Sequence, residues 1–205
     1  MDGSINLSKG ILVLCITGIF MVSACAAPTT NSEKGTAVGV GASAGVMPAQ
    51  VIGGIAGNMI GSYMDKQEQE FQRQVAGREG TTVQRYRNDL SITMKADGLF
   101  DTGSSLMKPG GYNEIGRIAA ILNRYPETRV TIEGHTDGVG SESYNMHLSE
   151  ERARAVADAL TAGGVNPRRL TTVGLGPSRP NASNNTETGR QLNRRITLLV
   201  VPIEA

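Results

Sequence analysis

The chain has no tryptophan, and aromatic residues make up only 4% of its 205 positions. With 39% hydrophobic residues, it can bury one ordinary core with appended segments, but not two large ones. A basic excess is missing too. The formal net charge is +1, and no basic cluster is interleaved with aromatics, which argues against nucleic acid as a partner. Two cysteines cannot build a disulfide framework. There is no CxxC and no helix-borne histidine pair to hold a metal, and no GxSxG elbow to present a nucleophile. The two histidines, His135 and His147, therefore suggest neither a triad nor a metal centre, and no cofactor is implied. His135 is expected to shape its loop through ring hydrogen bonds.

Long apolar runs are also lacking. The first is "GILVLCITGIFMVSA", preceded by Lys9 and ending in small residues; this is the form of a secretory signal and is short for a membrane span. It stops at "VSAC", Val22 to Cys25, which resembles the bacterial lipobox with Val in the place usually held by Leu. The expectation is a signal peptide over 1–24 and a lipid-modified Cys25. With several acyl chains on one cysteine, stable anchoring follows. Ala26 stands where, by resemblance to the lipoprotein sorting rule, an aspartate would favour inner-membrane retention, so the outer membrane, from its periplasmic side, is the expected location.

A polar tether (25–34) leads into 35–64, which carries no charged residue. Glycines recur there at four-residue spacing: Gly35 and Gly39, Gly41 and Gly45, then Gly53, Gly57 and Gly61. Small residues four apart let helix backbones approach closely. The segment resembles the glycine zippers of envelope lipoproteins and suggests membrane-associated packing, including a homo-oligomer. The same composition suits a flexible linker. "DKQEQEFQRQVAGREG" (65–80) then reads as a charged, solvated linker helix.

From Thr81 the pattern is globular. "TTVQRYRNDLSITM" predicts a hairpin turning at Asn88-Asp89. "KPGGYNEIGRIAAILNRYP" predicts a helix opened by Pro109 and closed by Pro126. "RVTIEG", "RRLTTVGLG" and "RRITLLVV" read as strands, the last apolar on both faces and therefore central. The fold expected for 81–205 is α/β: a mixed sheet covered by helices in one βαβαβ sandwich.

Between the first two of these strands, the helix from about Ser143 turns Leu148, Ala155, Val156, Ala159 and Leu160 inward. At roughly 100° per residue their mean direction is that of Arg152, with Asn145 within about 20° of it. A guanidinium in an apolar stripe needs a partner or a polar pocket. Asp137, in the preceding loop "GHTDGVGS", is the nearest carboxylate. Two arrangements satisfy this. One is an internal Asp137–Arg152 salt bridge. The other is a bipolar pocket for a zwitterion, with an ammonium on Asp137 and a carboxylate on Arg152.

The elements "FDTGSSLMKPGG", "IEGHTDGVGS", "YNMHLSEERARAV", "GVNPRRLTTVGLGPSRP" and "TGRQLNRRI" occur in the order, and with the motifs, of the OmpA-like peptidoglycan-binding domain, which residues 97–201 resemble. The resemblance implies a binding protein rather than an enzyme, with peptidoglycan as its ligand. It also implies that Asp137 and Arg152 hold the amino and carboxyl groups of meso-diaminopimelate. Asp101, Thr102, Thr136, Asn145, Leu148 and Arg195 match positions that line or support that pocket, and strand alternation lets only one of the adjacent Arg194 and Arg195 face it. Together with the lipobox, this implies a lipoprotein tethering outer membrane to cell wall. An ion-channel stator would need a continuous span bearing an acid, which 35–64 lacks. The alternative function is envelope signalling, in which a periplasmic regulatory protein is bound and peptidoglycan is the second ligand.

Overall fold

A computed structural model describes residues 59–76 and 78–204. The expected signal peptide, Cys25, the polar tether and 35–58 of the glycine-rich segment lie outside the described residues.

The first described element is helix α1, Ile60–Val75. Charged and Gln-rich though it is, it is not simply solvated. It buries Ile60, Met64, Gln67 and Phe71 at intervals of four, three and four, one stripe of a 3.6-residue helix. Its polar flank is tied down as well. Asp65 and Glu68 pair with Arg85, Glu70 pairs with Arg124 at 2.9 Å, and the Tyr63 hydroxyl accepts from the Glu127 amide at 3.0 Å. Burying the three apolar side chains stabilises this docking by roughly 5–8 kcal/mol as an upper estimate. Gly61, the last glycine of the four-residue series, faces open space.

The hairpin forms, with its turn one residue earlier than expected: β1 Thr81–Tyr86 and β2 Asp89–Lys95 flank Arg87-Asn88, and Arg87 takes φ 56°, while Asp89 pairs with Tyr86. A short helix α2, Ala96–Leu99, follows. Helix α3, Pro109–Arg124, opens on proline, whose missing N–H is no loss at a first turn. Next come β3 Thr128–His135, α4 Glu142–Ala162, β4 Leu170–Gly176, α5 Glu187–Asn193 and β5 Arg195–Pro202. The strands form one mixed sheet in the order β1-β2-β5-β3-β4, with β3 and β4 parallel and the other pairs antiparallel. β5 is central, as its two apolar faces predict. This is the α/β sandwich of the βαβαβ type.

Register puts the core on one face. Met94, Ile196 and Gly134 lie side by side across β2, β5 and β3, as do Ile92, Leu198 and Ile132. These pack with Ile115, Ile121, Leu122, Val156 and Leu160 of α3 and α4. Helix α4 sits very close to the sheet. A Cβ on Gly134 would lie 2.1 Å from the Ser149 carbonyl oxygen, and one on Gly174 would lie 2.2 Å from Glu150 Cγ. The two glycines are register partners and make the seat for the helix. At the far end of α3, buried Arg169 donates to the carbonyls of Leu122, Tyr125 and Thr128. It thereby satisfies a helix C-terminus that would otherwise be orphaned.

Candidate functional site

A cleft of about 360 Å³ opens beside the N-terminal half of α4. Its floor follows from the seating of α4. The helix starts on Ser141, whose hydroxyl accepts from the Tyr144 amide, and its first three turns present Tyr144, Asn145, Leu148 and Arg152 to the cleft. Asn145 and Arg152 are both 3% exposed, as the helical stripe predicts.

Arg152 ties down the opposite wall. Its Nε donates to the Ser104 carbonyl at 2.8 Å and one Nη to the Asp101 carbonyl at 3.3 Å, while the guanidinium carbon lies 5.3 Å from the centre of the Phe100 ring. Among the described residues no carboxylate pairs with it. Burial pulls its pKa below the ordinary arginine value, with Asp97 the strongest opposing influence. With Nε and one Nη engaged on the loop, the remaining N–H groups of the terminal nitrogens are left for a ligand in the cleft.

The acidic pole is the β3–α4 loop. Asp137 Oδ1 accepts from the Val139 amide at 3.0 Å and Oδ2 from Arg194 at 2.8 Å. Asn145 donates to the Val139 carbonyl at 2.8 Å, fixing the loop to α4. The loop's other side is held by Asn184, which accepts from the Gly138 amide at 3.1 Å and is itself bonded by buried Asn193. Arg194 sits among three carboxylates. It meets both oxygens of Asp97 (2.9–3.2 Å), Asp137, and Glu187 at 3.4 Å. Asp97 first, and Asp137 after it, raise the Arg194 pKa against the opposing effect of burial. Arg190 holds the exposed Glu187 carboxyl below its usual range.

Six of the residues singled out in the sequence line this cleft: Thr102, Thr136, Asp137, Asn145, Leu148 and Arg152. Asp101 contributes only its carbonyl; its side chain is 65% exposed and lies 3.6 Å from Lys108 Nζ. Arg195 does not line the cleft. It begins β5 and turns to the sheet face opposite the helices, donating to the Arg179 carbonyl at 2.9 Å. The cleft arginine is its neighbour Arg194, the last-turn cap of α5. The direct Asp137–Arg152 salt bridge is not formed either, because Asp137 is engaged by Arg194. Asp97 and Glu187 went unnoticed in the sequence, since α2 and α5 are too short to reveal a face; Tyr144 was passed over at the flank of the α4 stripe, and of the adjacent Arg194 and Arg195 the second was taken for the cleft.

His135 follows Glu133 on that opposite face. It is 2% exposed, and neither ring nitrogen has a hydrogen-bond partner among the described residues. Burial first, then the charges of Arg195 and Arg179, lower its pKa to about 4. The ring is therefore neutral above that pH, and the 3.4 Å approach of Glu133 is not an ion pair there. Among the described residues no group of three or more His, Cys, Asp and Glu side chains is placed to hold a metal.

Residues 99–194 match the OmpA family. The chain is similar to the probable lipoprotein YiaD of Escherichia coli K12, with 32% identity over 214 residues, covering 94% of this chain and 97% of that one. The peptidoglycan-binding protein ArfA of Mycobacterium tuberculosis H37Rv is 48% identical over 98 residues, which are 48% of this chain and 30% of ArfA. Among solved structures, the cell wall anchor of the T6SS from Pseudomonas aeruginosa superposes with a TM-score of 0.60 at 27% identity, over 66% of this chain and 96% of that one.

Proposed function

The chain belongs to the OmpA family, and on that footing we propose that its cleft binds peptidoglycan through the zwitterionic end of meso-diaminopimelate. One observation carries this reading. The cleft separates a buried, carboxylate-free guanidinium, Arg152, from a cluster of three carboxylates around Arg194, of which only Glu187 has a second guanidinium partner, Arg190. A ligand carboxylate meets the free N–H groups of Arg152, and a ligand ammonium meets Asp137 within an acidic excess. A lone anion or a lone cation would satisfy only one pole. Thr102, Thr136, Asn145 and Leu148 shape the walls; Arg194, rather than Arg195, orients Asp137.

The naming of one relative as a peptidoglycan-binding protein supports the ligand. The naming of a full-length relative as a probable lipoprotein supports a lipid on Cys25. In this reading the lipid holds the outer membrane and the cleft holds the wall, so the work is tethering without turnover.

The test is co-sedimentation of the chain lacking residues 1–58 with isolated sacculi, beside its Asp137→Ala and Arg152→Ala variants. Wild type pellets, both folded variants stay in solution, and free diaminopimelate competes. Pelleting of both variants at the wild-type level would sink the clamp.

A further inference from the structure

The two edges of the sheet are treated differently. At one edge, α1 packs along β1, and Arg85 of that strand is paired with Asp65 and Glu68. At the other edge, β4 has no strand beyond it among the described residues. Thr171 and Thr172 are exposed there, and β4 has neither proline nor lysine to blunt it. Bare edges are templates for strand pairing. A groove of about 290 Å³ runs along this edge, lined by Glu150 and Arg154 of α4 and Thr172, Val173 and Gly174 of β4. Both charged side chains are exposed, and neither has a salt-bridge partner among the described residues, although they are one turn apart.

We propose that this edge pairs with the same edge of a second copy of the chain, β4 antiparallel to β4 about a two-fold axis at Val173. The charges select this partner. Helix α4 runs antiparallel to β4, and Glu150 lies directly over Gly174. Arg154, one turn or about 6 Å further along the helix, falls over Thr172, about 7 Å back along the strand. A two-fold axis at Val173 sets Thr172 opposite Gly174 of the other copy. Arg154 of each copy then faces Glu150 of its partner, giving two crossed ion pairs from two otherwise unpaired residues.

The helices also fit. Gly134 and Gly174 together seat residues 149–150 of α4, so its axis lies above the gap between β3 and β4. With strands about 4.8 Å apart, the two copies of α4 come to about 10 Å, a normal packing distance. Ala157, small and half-buried, and Thr161 continue the facing side. No groove residue lines the cleft, so both clefts stay open. If the cleft binds the wall, as proposed above, the pair is bivalent on a repeating polymer, and avidity exceeds that of one cleft.

The test uses the full chain in detergent micelles, with Cys15 and Cys25 replaced by Ser and with Val173→Cys added. Residues at the two-fold axis have Cα atoms about 4.5–5.5 Å apart, within disulfide range, so mild oxidation yields a covalent dimer. Thr171→Cys sits about 13 Å from its copy and serves as the uncrosslinked control. Adding Arg154→Glu places like charges opposite each other twice and abolishes the Val173→Cys crosslink. The swap Glu150→Arg with Arg154→Glu restores it, as does mixing the two single-charge variants.

A monomer by sedimentation equilibrium, a dimer that fails to crosslink at Val173, or crosslinking indifferent to the charges would each overturn the pairing. None of these readouts involves the wall. Sacculus binding by a Val173→Cys chain that keeps Glu150 and Arg154 yet fails to dimerise would therefore remove the dimer and leave the cleft reading standing.

Discussion

Replacing Arg152 with methionine separates what the residue does for the fold from what it does for the ligand. The hydrogen bonds to the Ser104 and Asp101 carbonyls come from a charged donor, worth about 1.5–3 kcal/mol each. Asp101 is exposed and Ser104 half-buried, so water reaches this loop and the low end applies, a loss of about 3 kcal/mol. Against this stands the burial of a guanidinium, 3% exposed, with no carboxylate partner among the described residues. That penalty is several kcal/mol even after relaxation, and it disappears in the variant. The methionine stem keeps the packing on Phe100, and a sulfur–aromatic contact there adds about 0.3–1.5 kcal/mol.

The balance predicts Arg152→Met to be as stable as wild type to within about 1–2 kcal/mol, with more mobility in residues 101–104. Urea unfolding gives the stability, amide hydrogen exchange reads the loop, and sacculus pelleting reads the function, which should be lost. A loss of about 4 kcal/mol or more would refute the reasoning. Arg152 would then be a structural partner worth more than its desolvation, and a cleft made to hold a ligand would no longer explain why a lone cation is buried there.

Other sites give independent checks. Gly134→Ala drives a Cβ toward the Ser149 carbonyl; a loss of roughly 3 kcal/mol or more by urea unfolding is expected, since backbone must move. His135 has a folded pKa near 4 against about 6.5 unfolded. The unfolded chain therefore takes up its proton first, and stability falls from pH 6.5 to about 4, by about 3 kcal/mol in all. His135→Gln should show a correspondingly flatter profile, and identical slopes for the two proteins would disprove the shift. Gln67 is fully buried with neither amide atom bonded among the described residues. Gln67→Met should stabilise the docked α1 by about 1–3 kcal/mol, visible as slower exchange across residues 60–75.

Which parts of this were legible in the sequence depended on the length of the periodic signal. Helix α4 is 21 residues long, enough turns for the direction of Arg152 and Asn145 to emerge from the spacing of Leu148, Val156 and Leu160. The hairpin was legible because a period of two shows within a few residues, and the central strand because its apolar residues fall on both faces. Helices α2 and α5, four and seven residues long, carry too few turns to show a face, and Asp97 and Glu187 went unseen with them. The confusion of Arg194 with Arg195 has the same root. One residue divides the last turn of α5 from the first position of β5, and that single step sends one arginine into the cleft and the other to the far face of the sheet. On α1 the stripe was split: Ile60 and Met64 fell on the glycine-rich side of the change in composition, while Gln67 and Phe71 fell on the charged side. Neither half alone looked amphipathic.

The placement of Arg194 explains how opposite charges can stay apart in so small a cleft. Asp137 and Arg152 both line it, and an unrestrained carboxylate would be drawn to an unpaired guanidinium. Asp137 is held at both oxygens instead, by the Val139 amide and by Arg194. Arg152 is held by two carbonyls and a ring face, none of which neutralises its charge. Asp97 and Glu187 complete the arrangement by balancing Arg194, so that fixing Asp137 does not cancel the acidity on that side. The poles are therefore set before any ligand arrives, and little reorganisation is required to bind a zwitterion. The charge of each pole stays uncancelled by the other in the empty protein, and the close seating of α4 on Gly134 and Gly174 supplies the rigidity that keeps them so.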